Sequence, residues 1–147
     1  MRVIGLDLGE RRIGVAVSDP TGVLATPHGI IHRASRVEDF ERIARLVEEV
    51  GAERVVVGLP LSLSGDTGPQ ARRVQRYSRA LAKHLTVPLE YQDERYSTST
   101  ANAKLLETGR RKQVAIDAAA AAVILQDYLD RIRSEGSQSM SFDYEVE

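Results

Sequence analysis

Apolar and polar positions follow a strand-like pattern over the first thirty residues and then change period. VIGLDLG (3–9) and IGVAVS (13–18) are short apolar runs separated by the polar turn Glu10-Arg11-Arg12. Asp19-Pro20-Thr21-Gly22 punctuates the chain again before VLATPHGII (23–31). Pro27 in that third run has no N–H to give to a ladder, which marks an edge strand or a bend. Three strands joined by short turns predict an antiparallel meander. From Ser35 the spacing becomes helical. Phe40, Ile43, Ala44 and Val47 share one face, Ser35 and Glu38 form a capping box, and Gly51 supplies the stop. RVVVGLP (54–60) is a continuous β-branched run suited to a strand buried on both faces. Thr67 and Gln70 predict a second capping box, ahead of a helix with Val74, Ser78, Leu81 and Leu85 on its inner face. VPLEYQDE (87–94) predicts a fifth strand. A short helix is expected from about Thr98 to Glu107, before Gly109, and a last helix from about Gln113 to Arg133 with an Ala-rich first half.

The order βββαβαβαα requires parallel crossovers after the meander. The expected fold is therefore α/β: a five-stranded mixed sheet, first strand central, with helices on both faces. That is the ribonuclease H-like architecture. Residues 1–133 should form one domain, since 147 residues suit a single core. Residues 134–147 lack periodicity and read as a flexible acidic tail. Composition narrows the chemistry. The chain has 42% hydrophobic and 28% charged residues and no cysteine, which excludes a disulfide scaffold, a thiolate zinc site and a cysteine nucleophile. No apolar run approaches the roughly 20 residues of a membrane span, and Asp7 interrupts the only early apolar stretch, so a cytoplasmic protein without membrane contact is expected. The net charge of −1 conceals an asymmetry. Setting aside the tail's Glu135, Asp143, Glu145 and Glu147 leaves 20 basic residues against 17 acidic ones, a net of +3.

Three acidic positions are awkward individually. Asp7 sits inside a strand between Leu6 and Leu8, where a buried carboxylate is costly unless something cationic meets it. Gly5 and Gly9 beside it let a backbone or a ligand come close. Asp117 heads the apolar stripe Ala120, Ala121 and Ile124 of the last helix, and the small residues 118–122 let that helix approach the sheet. Asp93 and Glu94 end the fifth strand, where parallel-strand folds gather ligands. Alternation sends the two to opposite faces, so one of them can join Asp7. Carboxylates converging from distant segments fit a hard divalent ion such as Mg²⁺, and a pair of ions would clamp a phosphodiester in an in-line displacement. His28, His32 and His84 share no ligand spacing.

The basic residues add a phosphate signature. Arg72, Arg76, Arg79 and Lys83 make a one-signed stripe on the second helix, which suits backbone contact. Arg11 and Arg12 follow Asp7, Arg95 follows Glu94, and Arg110, Arg111 and Lys112 precede Asp117 in an expected loop. All ten are candidate nucleic-acid contacts.

The chain resembles the YqgF (RuvX-like) family. The resemblance spans about residues 2–130 and rests on motifs in order: Gly5-Leu6-Asp7-Leu8-Gly9 with Ile13-Gly14-Val15-Ala16, Ala25-Thr26-Pro27, Val56-Val57-Gly58-Leu59-Pro60, Gly65, Gly68-Pro69-Gln70-Ala71, Asp93-Glu94-Arg95 with Ser97-Thr98, and Ile116-Asp117 with Ala120-Ala121. It implies a ribonuclease H-like nuclease using Mg²⁺ or Mn²⁺, two ions together, with Asp7, Glu94 and Asp117 as catalytic metal ligands. It further implies 5′-end processing of pre-16S ribosomal RNA or, alternatively, Holliday junction resolution on DNA, for which a homodimer would cut symmetrically. The loop from Gly58 to Gly68 is expected to shape the substrate cleft, although Ser62 stands where the family pattern calls for Asn. Two other readings compete. A sugar kinase or actin-like ATPase shares the Asp-x-Gly turn but needs two such domains. A non-catalytic nucleic-acid-binding module on the same fold would be expected to lose its carboxylates.

Overall fold

The computed structural model describes residues 1–94 and 110–136, the second stretch with side chains from 114 to 135. Five strands form one sheet: β1 (Val3–Leu8), β2 (Arg12–Ser18), β3 (Ala25–His32), β4 (Arg54–Leu59) and β5 (Leu89–Asp93), in the order β3-β2-β1-β4-β5. The central β1 pairs antiparallel with β2 and parallel with β4. β3 joins β2 antiparallel, and β5 joins β4 parallel. The meander and the crossovers therefore share one mixed sheet, as the pattern predicts. The helix expected over 98–107 and most of the tail lie outside the described residues.

Alternation along the strands divides the core in two. Ile4, Leu6, Ile13, Val15, Val55 and Val57 face α1 (Arg36–Val50) and α2 (Pro69–His84). Val3, Ala16 and Val56 face α3 (Arg110–Gly136), against Ala121, Ile124, Leu125, Tyr128 and Leu129. β4 supplies both layers, which is why its run reads as uninterrupted apolar sequence. Among the described residues no helix is long and apolar enough to cross a membrane.

α1 starts and stops as its residues dictate. The Ser35 hydroxyl accepts from the Glu38 amide at 3.1 Å, and the Glu38 carboxylate accepts from the Ser35 amide at 3.5 Å. Gly51 closes the helix in the left-handed region at φ 67°, which costs glycine little. The turn after β2 is held by Asp19, whose carboxylate collects the amides of Leu24, Val23 and Thr21. Those bonds, led by Leu24, hold its pKa well below the ordinary carboxylate range. Pro27 lies on β3, an edge strand, beside an irregularity between Val15 and Ala16 where the register shifts. Both alternatives for that proline, edge and bend, therefore apply.

Three expectations need correction. The second capping box does not form, because α2 begins one residue later, with Gly68 as N-cap and Pro69 in the first turn. Proline's fixed φ is pre-organised for that position, and glycine has no side chain with which to cap. The Thr67 carbonyl instead accepts from Arg72 Nη1 at 2.9 Å. The last helix also starts earlier, so Arg110, Arg111 and Lys112 belong to the first turn of α3 rather than to a loop. Arginine and lysine are good helix formers, and three in succession extend a helix as readily as they break from one. Its far end runs past Arg133 to Gly136, into the start of the expected tail.

Candidate active site

Three glycines on three adjacent strands allow α3 to sit almost on the sheet. A Cβ added at Gly14 would lie 2.0 Å from the Asp117 carbonyl oxygen, and one at Gly5 would lie 2.7 Å from Leu125 Cβ. At Gly58 it would meet Ile124 Cδ1 at 2.5 Å and the Glu94 carboxyl carbon at 2.8 Å. At Gly14 helix backbone fills the space that a side chain occupies elsewhere, and at Gly58 the side chains of Ile124 and Glu94 fill it. Gly5 thus serves a close approach, as expected, and the backbone that comes close is that of α3. Gly9 serves its own turn, where a Cβ would meet the Arg12 carbonyl at 2.6 Å.

This contact carries Asp117 to Asp7. Asp7 is opposite Gly14 in the β1–β2 ladder, and Gly14 is where the helix backbone at Asp117 touches down. Both carboxylates line one hollow of about 300 Å³, with Gly9, Glu10, Arg11 and Arg12 as the other walls. Arg12 Nε donates to Asp117 Oδ2 at 2.6 Å. Asp117 is half-buried, with 17% of its side chain exposed.

Alternation also resolves the pair at the end of β5. Glu90 receives the Tyr128 hydroxyl at 2.9 Å, and Gln92 receives Arg131 Nε at 3.1 Å, so the even positions face α3. Leu89 and Tyr91 pack with the opposite core. Glu94 follows Glu90 and Gln92 onto the α3 face and lies over Gly58. The chain thus sends Asp7, Asp117 and Glu94 to one face of the sheet, the first two around one hollow and the third two strands along. Among the described residues no three of His, Cys, Asp and Glu stand close enough together to form a metal-holding group. The donor set of the hollow is nonetheless suitable for Mg²⁺ or Mn²⁺: all-oxygen acidic ligands, room for water, and no thiolate or imidazole, where Mg²⁺ needs only one or two carboxylates plus a substrate phosphate.

The basic candidates separate into groups. Arg11 and Arg12 wall the hollow. Arg76 lines a larger cavity on the other face of the sheet, and Arg72 is turned onto Thr67. Arg79 and Lys83 are exposed further along α2. Arg95 and the side chains of Arg110, Arg111 and Lys112 lie outside what is described. The Gly58–Gly68 loop closes on itself: Ser62 Oγ accepts from the Asp66 amide at 3.0 Å, and Ser64 Oγ donates to Asp66 Oδ2 at 2.8 Å. Ser62 therefore spends its hydroxyl inside the loop. None of residues 59–68 is among the described residues that line either cavity.

A family model described as RuvX, Holliday junction resolvase, matches residues 1–131. The chain belongs to the RuvX family. A relative from Syntrophomonas wolfei, named as a candidate pre-16S rRNA nuclease, is 44% identical over 133 residues, 88% of this chain and 94% of that protein. One from Chloroflexus aggregans with the same name is 46% identical over 135 residues, 90% of this chain and 95% of that protein. Among solved structures, Thermus thermophilus RuvC in complex with a Holliday junction substrate superposes at a TM-score of 0.59 with 14% identity, over 90% of this chain and 96% of that one. The fowlpox virus resolvase in complex with Holliday junction DNA superposes at 0.55 with 10% identity, over 90% and 99%. At such identities these two share the fold, which is ribonuclease H-like as the strand order foretold.

Proposed function

We propose that this RuvX-family chain is a divalent-metal-dependent endonuclease that hydrolyses phosphodiester bonds in structured RNA, acting in the cytoplasm on the 5′ end of pre-16S ribosomal RNA. The observation that carries the reading is the hollow shared by Asp7 and Asp117, walled by two arginines, at the point where α3 meets the central strand. Asp7 and Asp117 would hold Mg²⁺ or Mn²⁺ there, and Glu94, on the same face, would complete the set with substrate in place. When bound there, such an ion would supply Lewis acidity and lower the pKa of a water for attack on phosphorus. The chain's own groups do the rest. The glycine contacts fix the carboxylates on rigid elements, so the metal ligands keep their places during the reaction. Arg12 orients Asp117, and Arg11 offers charge to a phosphate entering the hollow.

A second reading, resolution of four-way DNA junctions by a dimer, is favoured by the description the family model carries. The deciding experiment incubates the chain with matched RNA stem–loops bearing 5′ extensions and with four-way DNA junctions, in Mg²⁺, Mn²⁺ or EDTA. The expected result is metal-dependent cutting of the RNA, abolished by EDTA and by Asp7→Asn. Cutting of the junction alone would move the assignment to DNA. Binding without cutting in either metal would leave a non-catalytic module.

A further inference from the structure

A second cavity is larger than the carboxylate hollow. It encloses about 550 Å³ on the opposite face of the sheet, between the end of β1 and the first turns of α1 and α2. Four arginines line it, Arg33, Arg36, Arg73 and Arg76, together with Gln70 and Tyr77, and Glu10 is the one acid among the lining residues. Gly9 and Glu10 also wall the carboxylate hollow. The two cavities therefore meet at the β1–β2 turn.

The four arginines are not equivalent. Arg33 is built in: Nη1 donates to the Gly9 carbonyl at 2.7 Å, Nε approaches Asp39 at 3.8 Å, and its guanidinium lies 4.5 Å from the centre of the Tyr77 ring. Arg36 lies over the same ring at 5.7 Å. Arg73 and Arg76 are exposed, and no carboxylate among the described residues forms an ion pair with either. Surface arginines usually find acids nearby. Here they surround a concavity with a single acid and leave guanidinium groups available for an external anion. Their planar, permanently charged forks suit phosphate oxygens.

We propose that this cavity is a phosphate-anchoring cleft that grips the RNA backbone beyond the β1–β2 turn, away from the bond to be cut. A strand laid across that turn would place one phosphate in the carboxylate hollow and a neighbouring backbone segment among Arg36, Arg73 and Arg76. Arg33, fixed by Gly9 and Asp39, sets the cleft's wall. The cleft holds the substrate in register and does no chemistry. This deepens the nuclease reading and rests on it.

The test measures RNA binding without cleavage. An RNA stem–loop is titrated with the full chain in EDTA across a series of salt concentrations, for wild type, Arg73→Gln/Arg76→Gln and, as a control on α1, Arg45→Gln. Each lost phosphate contact removes about 0.7–0.9 from the slope of log affinity against log salt. The cleft pair should therefore flatten the slope by about 1.5, with an unchanged melting temperature. The α1 control should change it by less than about half a unit. Arg73→Lys/Arg76→Lys, which keeps the charge, should restore the slope. An unchanged slope in the cleft pair, or equal flattening in the α1 control, overturns the cleft while leaving the nuclease reading intact. Failure of wild type to bind the RNA at all overturns both.

Discussion

Two aspartates on helices, Asp39 and Asp117, each meet an arginine from outside their own helix, and they differ in almost everything else. Asp39 is 1% exposed and its oxygens are fully engaged. The Ala34 amide donates to it at 2.9 Å, the Tyr77 hydroxyl at 3.0 Å, and Arg33 stands 3.8 Å away. It ties the start of α1 to α2 and leaves no opening. Asp117 is 17% exposed, accepts Arg12 at 2.6 Å, and shares an open hollow with a second carboxylate. A carboxylate enclosed by donors is a structural fastening. A carboxylate beside another acid on the wall of an open hollow faces space that an incoming cation can enter. Burial alone would rank Asp39 as the more important residue. Burial together with the adjoining space makes Asp117 the candidate for function.

Exchanging the two roles should give the largest effect. Asp117→Ala should slow metal-dependent cleavage about a thousandfold, a rise of roughly 4 kcal/mol in the barrier. Its stability should fall by less than about 1 kcal/mol, since Arg12 is 34% exposed and partly exposed pairs contribute little. Asp39→Ala should do the reverse. Removing it leaves Tyr77 and Arg33 without their buried acceptor and should cost about 3 kcal/mol, while the folded fraction still cleaves within about tenfold of wild type. Urea melts beside single-turnover cleavage would measure both. Equal stability losses in the two variants would erase the distinction.

The sequence exposed the frame of this arrangement more readily than its contacts. The change from period two to period 3.6, the capping box at Ser35 and the β-branched run of β4 are local signals, and each element formed where they placed it. Asp7 and Asp117 were legible because a carboxylate in an apolar strand and one heading an apolar helix stripe both violate the usual pattern. The cleft was less visible. Arg33 and Arg36 sit around a helix start, where no period applies. On α2, a search for a one-signed stripe opposite the apolar face selects Arg72, whereas Gln70, Arg73 and Tyr77 share the flank turned toward the sheet's end. Adjacent helix positions differ by about 100°, so that stripe reaches the cavity only at Arg76. Gly14 and Gly58 also gave no sign of their role, because close approach to α3 depends on two strands and a helix that are distant in sequence.

Those glycines provide the next test. Gly14→Ala places a Cβ 2.0 Å from the Asp117 carbonyl oxygen, so α3 must move. Overpacking of this kind costs about 2 kcal/mol, and the displaced Asp117 should lower cleavage beyond what the lost stability explains. Gly68→Ala, with nothing within 4 Å of its added Cβ, should cost only a few tenths of a kcal/mol as a weaker N-cap. Thermal melts with cleavage measured well below each midpoint would check the pair. A Gly14→Ala variant as stable and as active as wild type would mean that α3 does not depend on this contact to hold Asp117 in place.

The smallest effect concerns pH and sharpens the description of Asp39. Burial, reinforced by the hydrogen bond to Asp39 and by that carboxylate's charge, pushes the Tyr77 hydroxyl above its ordinary pKa of 10.0. The folded state therefore holds the phenol proton more tightly than the unfolded state does. The stability this contributes is complete below pH 10 and is lost as pH rises from there toward the folded value. Tyr77→Phe removes both the donor and the titration. At neutral pH the variant should be about 1–2 kcal/mol less stable, because a buried charged acceptor loses one partner. Above pH 10 its stability should decline less steeply than that of wild type, so the gap between them narrows. Arg12→Gln, at the other aspartate, touches none of the described tyrosines and should leave the alkaline limb with the wild-type slope. Urea melts at pH 7, 9.5, 10.5 and 11 would resolve the curves. Parallel curves for wild type and Tyr77→Phe would show that the phenol proton is not part of what fastens Asp39.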